Sequence, residues 1–66
     1  MSTQKQEIRA ALEAGDVLTP LVALERFGCF RLGARVYELR RDGDPIDSHL
    51  IPTPTGKRVA AYWWRQ

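Results

Sequence analysis

Sixty-six residues with a formal net charge of +2 can form one small domain, because a chain of this length has no room for two hydrophobic cores. The single cysteine excludes an internal disulfide, and one cysteine with one histidine cannot supply the four ligands of a structural zinc site. We therefore expect one domain over residues 1–66, with no metal or other cofactor, that depends on local helix chemistry or on oligomerisation for its stability.

The charges are distributed unevenly along the chain. Residues 1–25 carry two basic and four acidic side chains, a net charge of −2, whereas residues 26–66 carry eight basic and four acidic ones, a net charge of +4. Such an asymmetry is expected when one end of a small domain faces a polyanion. A solvated surface that is simply rich in arginine has the same composition, so charge alone leaves both interpretations open.

The sequence contains no pattern of a secreted or membrane protein. The first six residues are polar without an apolar stretch behind them, and the longest apolar runs are only a few residues. A lone thiol also fits a reducing compartment. We expect a cytoplasmic protein of a bacterial host cell, with no membrane partner.

The first predicted helix covers residues 3–14. Ser2 or Thr3 can cap its N-terminus, with a glutamine or glutamate placed to complete a capping box, and Gly15 ends it. Its buried stripe is predicted to consist of Ile8, Ala11 and Leu12.

An extended linker follows, in which Val17 and Leu18 are expected to reach the core. The second predicted helix covers residues 19–27, because Thr19 is a good N-cap and Pro20 fits the first helical position. Its apolar face is predicted to consist of Leu21, Leu24 and Phe27, with Ala23 between them.

A tight turn that begins at Gly28 separates the second helix from the third, which is predicted over residues 30–42. Gly43 ends the third helix as a residue with left-handed backbone. Its core side is defined by i, i+4, i+7 spacing and consists of Leu32, Val36 and Leu39.

After Pro45 the hydrophobic period changes. Residues 46–51 and 58–64 are rich in apolar, β-branched and aromatic side chains, and residues 52–57 (PTPTGK) form a turn segment between them. This pattern predicts an antiparallel β-hairpin. Two helices joined by a tight glycine-containing turn, then a hairpin, predict the α+β winged helix-turn-helix fold, three helices followed by a β-hairpin wing.

The predicted fold assigns a use to the basic residues of the third helix. The second helix of a helix-turn-helix lies in the major groove of duplex DNA, where arginine reads guanine edges and also binds phosphate. The candidate DNA-binding residues of this helix are Arg31, Arg35, Tyr37 and Arg41. The alternative is an ordinary exposed helix face, with Arg31 near Glu38, Arg35 paired with an acid, or Arg41 stabilising the helix C-terminus.

The hairpin loop supplies a second group of candidates. Lys57 and Arg58 form a basic tip beside the hydroxyl of Thr55, and a wing uses such residues on phosphates or in the minor groove over residues 52–58. An ordinary solvated hairpin loop is the alternative.

Catalysis finds no support in the sequence. It has no phosphate-binding glycine loop, no metal-ligand spacing and no plausible Ser–His–Asp set, so we predict that the protein is not an enzyme. Cys29 is expected to be a buried turn residue and His49 a surface residue, and one of Trp63 and Trp64 is expected to join the core.

The residues resemble a group of small helix-turn-helix proteins that are common in bacteriophages and prophages. The resemblance covers about residues 4–64 and is carried by Leu18-Thr19-Pro20, Phe27-Gly28-Cys29, Arg31-Leu32, Ala34-Arg35-Val36, Glu38-Leu39-Arg40 and Gly56-Lys57-Arg58-Val59-Ala60. It implies a winged helix and DNA binding, with Arg31 and Arg35 at the basic positions of the recognition helix. Gly33 departs from the alanine expected there.

These expectations lead to one main functional hypothesis and a rival. The main hypothesis is a small phage or prophage transcriptional regulator that binds double-stranded DNA, as a homodimer or in a cooperative array. The rival is a phage-encoded interaction module that binds and inhibits a host nucleic-acid-processing machine, such as a CRISPR effector. An architectural role in recombination shares the DNA chemistry with the main hypothesis.

Overall fold

The computed structural model describes residues 3–65. Three helices are followed by a two-stranded antiparallel sheet, in the order that the sequence predicts. The elements are α1 (Gln4–Glu13), α2 (Pro20–Phe27), α3 (Leu32–Arg41), β1 (Ile46–Pro52) and β2 (Arg58–Trp64). Within the described chain, no helix has the length and apolar character needed to cross a membrane.

The first two helices begin as their capping residues predict. The Thr3 hydroxyl accepts a hydrogen bond from the backbone N–H of Gln6, and the Gln6 side chain accepts one from the backbone N–H of Thr3. This capping box satisfies two backbone donors at the start of α1. Thr19 caps α2 with its hydroxyl alone, which accepts a hydrogen bond from the backbone N–H of Val22, and Pro20 is at the first helical position. The alternative cap, Ser2, lies outside the described residues.

The third helix is shorter than predicted. Arg31 occupies its N-cap position with φ −127° and ψ 61° and makes no capping hydrogen bond, so α3 begins at Leu32 and ends at Arg41. Phe30 therefore lies in the turn and not in the helix. The turn itself depends on Gly28, whose φ of 65° lies in the left-handed region that glycine adopts at low cost.

The core lies between the three helices and the sheet. The predicted stripes of α1 and α3 are buried as expected, and Cys29 joins them from the turn. The buried cluster consists of Ile8, Ala11, Leu12, Leu18, Ala23, Cys29, Leu32, Val36, Leu39 and Ile46.

The sequence-based assignments for α2 and its linker were partly wrong. Leu21 is 63% exposed and Leu24 is 39% exposed, whereas Ala23 is fully buried with Val22 and Phe27 packed against the same cluster. The face of α2 that packs on the core is therefore the one with Val22, Ala23 and Phe27, next to the predicted face. Val17 is 56% exposed, because the extended linker can turn only one of two adjacent side chains inward, and that side chain is Leu18.

The hairpin is attached to the helices at two points. Leu18 and Tyr62 exchange backbone hydrogen bonds of 2.8 and 2.7 Å, which adds the linker to β2 as an isolated bridge. Arg40 donates hydrogen bonds to the carbonyl of Ile46 and the hydroxyl of Ser48, which connects the end of α3 to β1. These contacts fix the direction of the hairpin relative to α3.

The strand ends differ slightly from the prediction. Pro52 pairs with Arg58 and belongs to β1, so the loop comprises residues 53–57. A proline without an N–H is tolerated there because both strands of a two-stranded sheet are edge strands. Trp64 packs against the core with Arg9 above its ring, and His49 is exposed on β1, as the sequence predicts.

Candidate nucleic-acid interface

One side of α3 is exposed along its whole length. Ala34, Tyr37 and Arg41 follow one another at helical spacing opposite the buried stripe, and Phe30 is exposed in the turn just before the helix. We call these four residues the outer face of α3. Phe30 is 85% exposed and Tyr37 is 65% exposed, so the outer face presents two aromatic rings to the exterior.

Arg31 lies at the N-terminal end of this surface. Its side chain is exposed and makes no hydrogen bond or ion pair with any residue between 3 and 65. Gly33 and Ala34, two and three positions after Arg31, are small and also exposed. The guanidinium of Arg31 is therefore free to bind an external anion or base edge next to a part of the helix where little side-chain bulk blocks the approach.

Arg35 lies on a different side of α3 and is held by two partners. It donates a hydrogen bond of 2.9 Å to Glu38 and one of 3.3 Å to the side-chain oxygen of Gln4 in α1. The amide of Gln4 in turn donates to the carbonyl of Phe27 at the end of α2. Arg35 and Gln4 thus connect the three helices through hydrogen bonds, although the side chain of Arg35 is still 39% exposed.

The loop of the hairpin is ordered by its threonines. Thr53 donates hydrogen bonds from both its backbone N–H and its hydroxyl to the carbonyl of Lys57, at 2.9 and 2.7 Å. The hydroxyls of Thr53 and Thr55 lie 3.0 Å apart. The backbone of Lys57 is therefore fixed, while the side chains of Lys57 and Arg58 are exposed.

The ten basic side chains fall into three groups. Five form ion pairs with acids of the same chain, namely Lys5, Arg9, Arg26, Arg35 and Arg65. Arg40 donates hydrogen bonds to Ile46 and Ser48 of β1. Four side chains have neither a hydrogen bond nor an ion pair with the rest of the described chain, namely Arg31, Arg41, Lys57 and Arg58. All four were predicted from the sequence as DNA-binding residues.

The paired carboxylates are themselves perturbed by their partners. The hydrogen bond from Lys5 lowers the pKa of Asp42 below its ordinary value, and the hydrogen bonds from Arg65 lower the pKa of Asp47. Both carboxylates are ionised at neutral pH and neutralise cations of α1 and of the chain's end. Among residues 3–65, the cations without an acidic partner lie on α3, at its N-cap and on the wing.

Two residues of this region were missing from the sequence-based candidates. The predicted third helix included Phe30, but no role was assigned to this residue. Gln4 gave no signal, because its partner Arg35 is 31 residues away in the sequence. For Arg35 the sequence did offer the alternative of pairing with an acid, and Glu38 three positions later is that acid.

Three helices, with a tight turn between the second and the third, followed by a β-hairpin define the winged helix-turn-helix architecture. The chain belongs to the family of winged helix-turn-helix domains, whose family model matches residues 3–64. No curated protein and no solved structure shows significant similarity to it. The winged helix-turn-helix is a DNA-binding fold and is generally non-enzymatic, so family membership suggests DNA as the partner.

Proposed function

We propose that this protein, as a single domain of residues 1–66, binds double-stranded DNA and acts as a small transcriptional regulator of the phage or prophage type. The observation that carries the proposal is the group of four cations without intramolecular partners on α3 and the wing. Five other cations of the described chain pair with acids, and Arg40 binds the carbonyl and the hydroxyl of two β1 residues. Unpaired cations on a helix and on a hairpin loop are suited to a polyanion.

The third helix enters the major groove in this proposal. Its N-terminal end carries Arg31, which reads a base edge, while Tyr37 and Arg41 follow along the outer face. Arg35 lies at the side, where a guanidinium with five donors and only two intramolecular contacts can still reach phosphate or base. Glu38 and Gln4 hold it in one orientation.

The wing binds the flanking backbone. Lys57 and Arg58 project from a loop whose backbone is fixed by Thr53. The hydroxyl of Thr55, which donates to Thr53 in the free protein, exchanges that hydrogen bond for one to a phosphate oxygen. A single module of this size buries only a small interface with DNA, so high affinity requires a homodimer on two half-sites or a cooperative array.

The proposal is tested by titrating a labelled random-sequence duplex with the protein at several salt concentrations and recording fluorescence anisotropy. If each of the four unpaired cations neutralises one phosphate, the logarithm of the association constant falls with the logarithm of salt concentration with a slope of about −3 to −4. Absence of binding at the lowest salt concentration would overturn the proposal.

Lys57→Ala is expected to weaken binding to all duplexes equally and to make the salt slope shallower by about one unit. The reason is that a loop lysine contacts phosphate, which carries no sequence information. The matched control is Lys5→Ala, which removes the same charge from a residue paired with Asp42. An equal change of slope in both variants would indicate that only net charge matters and that the wing makes no specific contact.

An interaction module that inhibits a host nucleic-acid-processing machine is the second candidate function. The observation that favours it is an apolar groove between the start of α2 and the wing, lined by Leu21, Ile51, Pro52, Pro54 and Val59 among others. Recovery of genomic DNA with the purified protein supports the regulator. Recovery of a host protein without DNA supports the interaction module.

A further inference from the structure

We propose that the outer face of α3 recognises thymine methyl groups, so that Phe30 and Tyr37 give the protein a preference for A·T pairs at the positions they reach. This inference rests on the proposed DNA-binding function and adds to it a chemical basis for sequence preference. The juxtaposition that carries it is two exposed aromatic side chains on a helix face flanked by unpaired arginines.

The exposure of Phe30 needs an explanation. It has the largest exposed fraction of the large hydrophobic side chains among the described residues. Cys29, directly before Phe30, and Leu32, two positions after it, are almost completely buried, so the turn could place an apolar side chain inward and does not do so with Phe30. A phenyl ring left in water next to the N-terminus of α3 is available to an external apolar group.

The major groove contains one such group on the base edges. The C5 methyl of thymine is apolar, and alanine and phenylalanine side chains contact it, whereas guanine, adenine and cytosine are distinguished there by hydrogen-bonding groups. Phe30 has no hydrogen-bonding group in its side chain and Ala34 has only a methyl. On the outer face, only Tyr37 and Arg41 can form side-chain hydrogen bonds.

Arg35, which the sequence predicts with Arg31 as a base-reading residue, is not on this face. Arg35 is directed toward Glu38 and Gln4, which leaves Arg31 and Arg41 as the cations beside the aromatic rings. The nearby acids are themselves paired, Glu38 with Arg35 and Asp42 with Lys5. The surroundings of the rings are therefore positive, which favours DNA over a partner with a basic or purely apolar surface.

The test compares thymine with uracil, which presents the same hydrogen-bonding groups without the methyl. A duplex selected from a random library by the protein is prepared once with thymine and once with deoxyuridine at every thymine position. We expect the deoxyuridine duplex to bind about threefold to fourfold more weakly for each methyl group lost from the interface, which corresponds to the transfer of one CH₂ group from water. A random duplex is expected to show no such difference.

Phe30→Ala should reduce the ratio between the two duplexes toward one while it leaves the salt slope unchanged. The matched control is Val17→Ala, which truncates another exposed hydrophobic side chain on the linker before α2 and should leave the ratio as in the parent. Circular dichroism confirms that both variants are folded.

The outcomes separate this inference from the function on which it rests. Equal affinities for the thymine and deoxyuridine duplexes, with normal salt dependence, would overturn methyl recognition and leave DNA binding intact. A methyl effect that persists in Phe30→Ala and disappears in Val17→Ala would place the recognition elsewhere and overturn the inference. Failure to bind either duplex at low salt would overturn the proposed function itself.

Discussion

Leu12→Ala is expected to leave a large fraction of the molecules unfolded at 25 °C. Leu12 is completely buried on α1, the helix that packs against both other helices and β2. Truncation of a buried leucine to alanine costs about 2–5 kcal/mol, and a domain of this size has only about 3–5 kcal/mol of stability from its core. Urea denaturation followed by circular dichroism measures the loss.

The control for this variant is Leu21→Ala on α2. It makes the same chemical change at a side chain that is mostly exposed, so the free energy of unfolding should change by less than about 0.5 kcal/mol. The sequence pattern alone had placed Leu21 in the core. Equal losses in the two variants would contradict the arrangement of α2 described above.

The contrast between α2 and α3 shows when hydrophobic period decides which face is buried. The apolar stripe of α3 is surrounded by glycine, arginine, glutamate and tyrosine, so only one face can be the core side. In α2 five consecutive or near-consecutive positions are apolar, Leu21, Val22, Ala23, Leu24 and Phe27. Two turns of such a helix fit more than one stripe, and the contacts with the rest of the core decide between them.

Helix starts followed from local chemistry where a side chain could make the cap. Thr3 and Thr19 each bind a backbone N–H within the first turn of the same helix, and this is visible in a short stretch of sequence. The start of α3 has no such side chain. Its first residue therefore depends on how the turn after Gly28 packs Cys29 into the core.

The candidate interface was predictable to a different degree for each cation. Lys57 and Arg58 have no acid near them in the sequence, and this can be judged locally. Arg31 and Arg41 stay unpaired for another reason, because the acids near them, Glu38 and Asp42, pair with Arg35 and Lys5. The orientation of Arg35 depends on Gln4, which lies in another helix. A contact between distant segments cannot be inferred from one sequence without the fold.

Arg31→Ala is expected to weaken binding to a preferred DNA site by about 1–3 kcal/mol and to flatten the preference between sites, as the loss of one bidentate base contact would do. The side chain is exposed and unpaired, so the free energy of unfolding should change by less than about 0.5 kcal/mol. Titration of the variant against the selected duplex and a random duplex measures both affinities.

The control for Arg31→Ala is Arg26→Ala, which removes an arginine that is paired with Asp16 and lies outside the proposed interface. This variant should retain the ratio between selected and random duplexes. If Arg31→Ala lowers both affinities by the same factor, Arg31 binds phosphate and does not read a base.

In that case the decisive comparison is between Arg35→Ala and Gln4→Ala. A loss of preference in Arg35→Ala alone would mean that Arg35 leaves Glu38 and contacts the base edge directly. A loss in both variants would mean instead that the connection between Gln4 and Arg35 positions α3 for another residue to read the site.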